Sequence, residues 1–209
     1  MKVLVIGANN SGKGTLVKLI EEKTGLETIG CSSVLKEKGM NITTGQLLPD
    51  KEVIGIMHEC LVDKKKESFI LDGFPRTVQQ YLYMKEFLFV PDLIVVLNIS
   101  EEEVLSRAVG RRLCEKCGDS YNLNGYKLPK EEGKCDLCGG NLYQREDDKE
   151  EVVKARYNEY LNETYPIVTK CKYNKYYKSG KITIWEFDTT QSTEEIADVV
   201  SEYINYMMW

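Results

Sequence analysis

The first fifteen residues constrain this chain more than any other segment. Val3 to Ile6 is a short β-branched apolar run, and Gly7-Ala8-Asn9-Asn10-Ser11-Gly12-Lys13 follows it directly as a G-x-x-x-x-G-K match. Leu16, Leu19 and Ile20 then recur at helical spacing. A glycine-rich turn between a buried strand and a helix lets consecutive backbone N–H groups and the helix N-terminus cradle phosphate oxygens. The lysine at its end reaches the β- and γ-phosphates. The segment therefore commits the chain to an α/β sheet with a nucleoside triphosphate site, and Asn10, Ser11, Gly12, Lys13, Gly14 and Thr15 are its candidate contacts.

The same alternation runs through the rest of the chain. Val53, Ile56, Met57, Cys60 and Leu61 form one helical stripe, and Phe69–Leu71, Leu93–Leu97 and Ile182–Phe187 read as strands. Ser100 with Glu103, and Ser192 with Glu195, are capping boxes; the second precedes Ile196, Val199, Val200, Tyr203 and Ile204. A helix entered at Asp148 is expected through the 150s, with a bend or restart at Pro166. Strands separated by such helices imply βαβ units and a parallel sheet. Residues 113–144 show neither period and read as a small inserted module, while Lys64-Lys65-Lys66 reads as a solvated loop. At 209 residues the chain holds one α/β core with an insert.

Composition removes several classes of function. With 42% hydrophobic and 29% charged residues and only 5 Pro, the chain is neither collagen-like nor disordered. A net charge of −5 argues against coating nucleic acid. No run of about 18 apolar residues occurs, so no membrane span is expected. The opening apolar run breaks at Gly7 without a cleavage-site pattern, which makes it a strand and not a signal peptide. A cytoplasmic monomer with no nucleic-acid or membrane partner is the expectation. Seven cysteines, an odd number, argue against a disulfide framework.

Four of those cysteines pair as Cys114-x-x-Cys117 and Cys135-x-x-Cys138, each followed by glycine and separated by seventeen residues. This is zinc-ribbon spacing, and four thiolates leave no open coordination position, so the Zn²⁺ is structural. Cys31, Cys60 and Cys171 read as small core or near-surface residues. A ribbon of this kind also serves nucleic-acid or protein binding elsewhere, but here Tyr121 and Tyr126 are its aromatics and acids interleave its lysines.

Asp72 ends the third strand-like run and begins Asp72-Gly73-Phe74-Pro75-Arg76-Thr77-Val78-Gln79-Gln80. An acid at a strand's carboxyl end is placed as a Mg²⁺-associated carboxylate in phosphate-binding sheets. The chain has six arginines against 22 lysines, and they fall in four short segments: Arg76; Arg107, Arg111 and Arg112; Arg145; Arg156. Arginine's planar fork holds phosphate in a way lysine does not reproduce. His58, the single histidine, reads as structural.

GKGT together with LDGFPRT-x-x-Q resembles the adenylate kinases, and more broadly the nucleoside monophosphate kinases. Gly45-Gln46-Leu47-Leu48-Pro49-Asp50, Arg107–Arg112 and Arg145-Glu146-Asp147-Asp148 with Arg156 are similar to further family segments, so the resemblance spans the chain. It implies a P-loop, doubly wound, five-stranded parallel sheet with helices on both faces and an inserted zinc-ribbon lid. Its expected divisions are core at 1–29, 53–112 and 146–209, a shortened monophosphate flap at 30–52 and the lid at 113–145. The implied reaction is reversible transfer of the γ-phosphoryl group of MgATP to AMP, giving 2 ADP.

By the same resemblance, Lys13, Arg111, Arg145 and Arg156 neutralise the moving group, with Asp72 beside them, and Arg76 grips the acceptor's α-phosphate. Arg107, Arg111, Ser120, Tyr121 and Gln191 join the donor side. Cys31, Lys36, Gln46, Leu47, Leu48, Gly73, Gln80, Arg145 and Arg156 join the acceptor side. No catalytic base is demanded, because the acceptor phosphate is already an anion.

The chain departs from the family pattern in two places. Asn9 and Asn10 stand in the phosphate loop where proline and glycine are usual, and asparagine tolerates positive φ. Cys31 and Lys36 replace a hydroxyl and an arginine, and eight residues separate Lys36 from Gly45. The alternatives this opens are kinase activity on CMP, UMP or a deoxynucleotide, or a nucleotide-binding regulatory protein with a decayed acceptor site.

Overall fold

The computed structural model describes residues 1–40, 47–65, 67–124, 127–173 and 179–209. The chain divides into two compact units, residues 1–99 with 158–209, and residues 100–157.

The first unit is built on a five-stranded sheet. Its strands are β1 (Lys2–Gly7), β2 (Glu27–Gly30), β3 (Phe69–Asp72), β4 (Leu93–Asn98) and, near the C-terminus, the edge strand Thr183–Asp188. All neighbours pair in parallel, in the order β2, β3, β1, β4, Thr183–Asp188. β1, β3 and β4 are near-continuous apolar runs because helices cover both faces of a parallel sheet. Val3, Val5, Ile70, Leu93, Val95 and Leu97 pack with Leu16, Val17 and Ile20 of α1 (Lys13–Thr24) and with the C-terminal helix Thr193–Met208. Leu4, Ile6, Ile94 and Val96 point to the opposite face and are equally buried.

The helices of this unit largely follow the expected stripes. Val53, Met57 and Leu61 are the buried residues of α3 (Asp50–Leu61). Ile196, Val200 and Ile204 are buried in the C-terminal helix, but Val199 is half exposed, one position off the core face. β2 carried no strand pattern because Ile29 is its one buried residue. Pro166 marks a restart: a π-helical turn at Tyr160–Thr164 gives way to a new helix over Tyr165–Lys172. Lys64 pairs with Glu27 and Glu67, and Lys66 lies outside the described residues.

Within this sheet β1 is flanked by β3 and β4, and the chain visits β2 and β3 on one side before crossing to β4. The register sets Val5 opposite Asp72 and Gly7 opposite Leu97. The carboxyl ends of the three strands therefore meet where the strand order reverses, which is the ligand crevice of open α/β sheets.

The second unit begins with α5 (Glu101–Gly110), whose Ser100 Oγ accepts the Glu103 N–H as the capping box requires. β5 (Arg111–Cys114) then pairs antiparallel with β6 (Ser120–Asn122) and β7 (Leu142–Tyr143). Asn122 and Asn124 donate to the Arg107 and Ser106 carbonyls at 2.9 and 2.5 Å, tying the hairpin to the end of α5. A Cβ on Gly110 would lie 2.3 Å from Asn122 Oδ1, so a larger residue would displace the asparagine side chains that make these bonds. Asp148 does not open the next helix as expected. It ends a 3₁₀ turn at Glu146–Asp148, and α6 runs over Glu150–Glu159. Among the described residues no helix is long and apolar enough to cross a membrane.

Candidate active site

The phosphate loop joins β1 to α1. Asn10 takes φ 62° and Gly12 φ 88°, so the asparagine in the usual glycine position adopts the left-handed region that this residue tolerates. Gly7 has no freedom to change, because a Cβ there would meet Ser11 Oγ at 2.7 Å and Leu97 Cβ at 3.2 Å. Ser11 is buried, while Gly14 and Thr15 are exposed at the start of α1. Lys13 Nζ lies 2.9 Å from Asp72 Oδ1, joining the loop to the end of β3. Both predicted residues thus stand together at the strand carboxyl ends.

Asp72 leads into a tightly clamped loop. Gly73 adopts φ 77°, and the Arg76 side chain folds back over it, with Nε donating to the Gly73 carbonyl at 3.1 Å. A Cβ on Gly73 would lie 3.3 Å from Arg76 Nη2 and 3.6 Å from Cys31 Cβ, so these three residues converge. The Arg76 N–H donates to Gln80 Oε1 at 2.7 Å, and Thr164 Oγ1 donates to the Arg76 carbonyl at 2.7 Å. Gln80 Nε2 donates to Asp50 Oδ1 at 2.7 Å, and Thr77 Oγ1 donates to the same carboxylate. Thr77 also caps α4 (Val78–Tyr83) by accepting the Gln80 N–H. The backbone N–H, carbonyl and Nε of Arg76 are all held by this network.

On the acceptor side, Cys31 starts α2 (Cys31–Glu37) and is buried. Burial pushes its thiol up to about 11 against the pull of the Arg76 guanidinium, so it is a neutral, weakly polar group at neutral pH. Lys36 is exposed. Leu47 and Leu48 are half-buried, and the Leu47 N–H donates to Glu159 Oε1 at 3.3 Å. Gln46 lies outside the described residues. Gln191 is exposed, its N–H on the Asp188 carbonyl. His58 shares a 3.0 Å hydrogen bond with the Tyr83 hydroxyl and packs edge-on to its ring.

In the second unit the arginines are ordered by two adjacent carboxylates. Arg111 grips Asp148 with a fork, Nε to Oδ2 at 2.9 Å and Nη2 to Oδ1 at 2.5 Å, and the Asp148 carboxylate is fully buried. Arg145 and Arg156 converge on one oxygen of Asp147, at 2.5 and 3.1 Å. Arg111, Arg145 and Arg156 thus gather around two adjacent carboxylates. Arg107 pairs with Glu103 at 2.8 Å. Arg112 donates to the Val109 and Arg111 carbonyls at the end of α5.

The four paired cysteines of this unit also meet. Their sulfurs all lie within 4.8 Å of one another, with Cys114 and Cys138 at 3.4 Å and Cys117 and Cys135 at 3.6 Å. A tetrahedral site with Zn–S near 2.3 Å requires S···S of about 3.8 Å, so the quartet fits zinc, and these distances are far beyond a disulfide bond of about 2.05 Å. Ser120 is exposed. The Tyr121 ring is 1% exposed, packed inside the module with Cys114 and Cys135.

Compared with known proteins, the chain matches the family model for adenylate kinase over residues 5–179. The chain belongs to the adenylate kinase family. It is 36% identical to an adenylate kinase of Caldicellulosiruptor saccharolyticus, over 98% of this chain and 97% of that protein. Identity is 39% with one of Clostridium botulinum, over 98% of each chain, and 39% with one of Archaeoglobus fulgidus, over 94% of each.

Sequence reasoning assigned no part in the site to Asp50, Asp147, Asp148, Thr77 or Thr164. The three aspartates stood inside segments already quoted for the family, which was the available signal. Their partners lie up to 88 positions away in the case of Thr164 and Arg76, where no local pattern reaches.

Proposed function

We propose that the protein catalyses the reversible reaction MgATP + AMP ⇌ 2 ADP. The observation that supports it most directly is the meeting of Lys13 and Asp72 at the carboxyl ends of β1 and β3, in a chain colinear with adenylate kinases over nearly its whole length. Transfer of a phosphoryl group between two nucleotides asks for positioning, charge neutralisation and water exclusion, with little covalent chemistry from the protein.

Each of these demands falls to particular residues. The loop N–H groups from Asn10 to Thr15 and the Lys13 ammonium hold the donor phosphates, with Asp72 keeping Lys13 extended toward them. Arg76, clamped at its backbone and Nε, offers its Nη groups to the acceptor's α-phosphate, and Gln80 lies beside it with Cys31, Gly73, Leu47 and Leu48. Gln46 and Lys36 complete the acceptor set, and Arg107, Ser120 and Gln191 the donor set. Arg111, Arg145 and Arg156, oriented by Asp148 and Asp147, neutralise the three oxygens of the group in transit. Cys114, Cys117, Cys135 and Cys138 hold zinc, which supplies rigidity and no reactive position, and their module serves as the water-excluding lid. A cytoplasmic setting agrees with ATP as the donor.

The test is to incubate zinc-loaded protein with MgATP and a panel of monophosphates, following diphosphates by chromatography. ADP formed in equal amounts from ATP and AMP is the expected outcome. Turnover with CMP, UMP or a deoxynucleotide alone would keep the chemistry and move the specificity to the Cys31–Leu48 region. ATP binding without turnover on any acceptor would refute the kinase reading and favour a regulatory protein.

A further inference from the structure

The buried hydroxyl of Tyr121 has a task that a nucleotide contact does not explain. Tyr121 lies on β6, paired across to Arg112 of β5, and its ring packs with Cys114, Cys135 and Leu142. Its oxygen accepts the Asp136 N–H at 2.8 Å and lies 3.5 Å from Cys135 Sγ. Once that lone pair is filled by Asp136, the hydroxyl still has its own proton to place. Two acceptors are in reach, the Cys135 sulfur and the Asp119 carboxylate. Asp119 is already held by Lys127, whose Nζ sits 2.8 Å from both oxygens and also lies over the Tyr121 ring.

The two knuckles differ at this point. Both have a glycine N–H closing the turn, from Gly118 to the Cys114 carbonyl and from Gly139 to the Cys135 carbonyl. Cys114 and Cys135 are the buried sulfurs, and Cys117 and Cys138 are exposed. Beside Cys114 Sγ lies the backbone of Gly140, where a Cβ would come within 2.8 Å. Beside Cys135 lies the Tyr121 hydroxyl. Four thiolates around a divalent cation would carry two net negative charges, and Cys135 is only 3% exposed.

We propose that Tyr121 is a positioning residue for the metal centre, donating its hydroxyl proton to the Cys135 thiolate while Asp136 and Lys127 hold the hydroxyl and the competing carboxylate in place. A thiolate is acceptor-only, so with metal bound the direction of this hydrogen bond is set. The bond draws charge from one sulfur, strengthens with the charge it meets, and fixes the sulfur's position.

The experiment compares wild type with Tyr121→Phe and Asp119→Asn in the full chain. Competition with a chromogenic chelator at neutral pH reads zinc affinity, and the cobalt(II)-substituted proteins read the sulfur-to-metal charge-transfer band. Tyr121→Phe should weaken zinc binding about 10- to 100-fold, the size typical of a lost partner to a metal ligand. It should also shift the cobalt band to lower energy, because an unbonded sulfur gives up its electrons more readily. Asp119→Asn should leave the band in place. An unmoved band in Tyr121→Phe overturns the proposal, whatever happens to the affinity, since packing alone does not tune the sulfur. Wild-type zinc affinity in that variant, or a module that no longer folds around metal at all, overturns it equally. A band that moves in Asp119→Asn but not in Tyr121→Phe assigns the proton to Asp119.

Discussion

Asp50→Ala separates positioning from chemistry on the acceptor side. The Asp50 carboxylate accepts from Gln80 Nε2 at 2.7 Å and from the Thr77 hydroxyl, and Gln80 is 2% exposed. Removing the acceptor leaves a buried amide N–H without a partner, at a cost of about 1–3 kcal/mol. Asp50 is also in the first turn of α3, where losing a negative charge costs roughly 0.3–1 kcal/mol more. A total near 3 kcal/mol should lower the melting temperature by about 6–12 °C for a body of this size. The same change frees Gln80, whose Oε1 holds the Arg76 N–H. If looser holding of Arg76 forfeits about 1.4 kcal/mol of acceptor binding, the KM for AMP rises about tenfold. Lys13 shares no partner with Asp50, so the KM for ATP and the kcat at saturating AMP should stay as in wild type. Initial rates with AMP and ATP varied in turn, together with thermal unfolding, give all four quantities. A parallel rise in both KM values, or an unmoved KM for AMP beside the calculated loss of stability, would refute the argument. Asp50→Asn keeps one acceptor oxygen and should fall between the two.

Three further outcomes follow from the geometry. Arg76→Lys should lower kcat/KM for AMP by about 10- to 100-fold through the lost planar fork while sparing ATP affinity, and an equal loss of ATP affinity would contradict the assignment. Lys36→Arg should lower the KM for AMP by about three- to tenfold as a bidentate contact replaces a point charge; an unchanged KM would place Lys36 away from the phosphate. Glu186 is held below its ordinary value of 4.5 by the Lys172 ammonium first and the Asn98 amide second. Its pairing therefore contributes stability that is present above pH 4.5 and lost as pH falls through the depressed folded value. Glu186→Gln should flatten that acid-side decline in melting temperature, and an unaltered slope would show the pair is screened.

Most of the framework was legible without coordinates because it rests on neighbours in sequence. The β-branched run ahead of Gly7 and the glycines around Lys13 encode strand, turn and helix start directly. The serine N-caps of the two expected capping boxes form, with Ser100 and Ser192 each accepting the N–H three residues on. β2 escaped notice because Ile29 is its one buried side chain, so nothing alternates. Asp148 was misread as a helix start because an acid before an amphipathic run looks the same whether it caps the helix or holds a distant arginine.

Consecutive residues alone thus determined the phosphate loop, the alternation of strands and helices, and the zinc quartet, since periodicity and ligand spacing are properties of short windows. Tertiary structure decided which charges meet. Lys13 finds Asp72 because parallel pairing sets Val5 opposite Asp72. Arg111 finds Asp148 rather than Asp147, and Tyr121 turns its ring inward to Cys135 while Ser120 beside it stays exposed. Neighbours in sequence lie about 3.8 Å apart at their Cα atoms, but a carboxylate accepts a proton within about 3 Å along a defined direction. Strand register and packing set that last ångström.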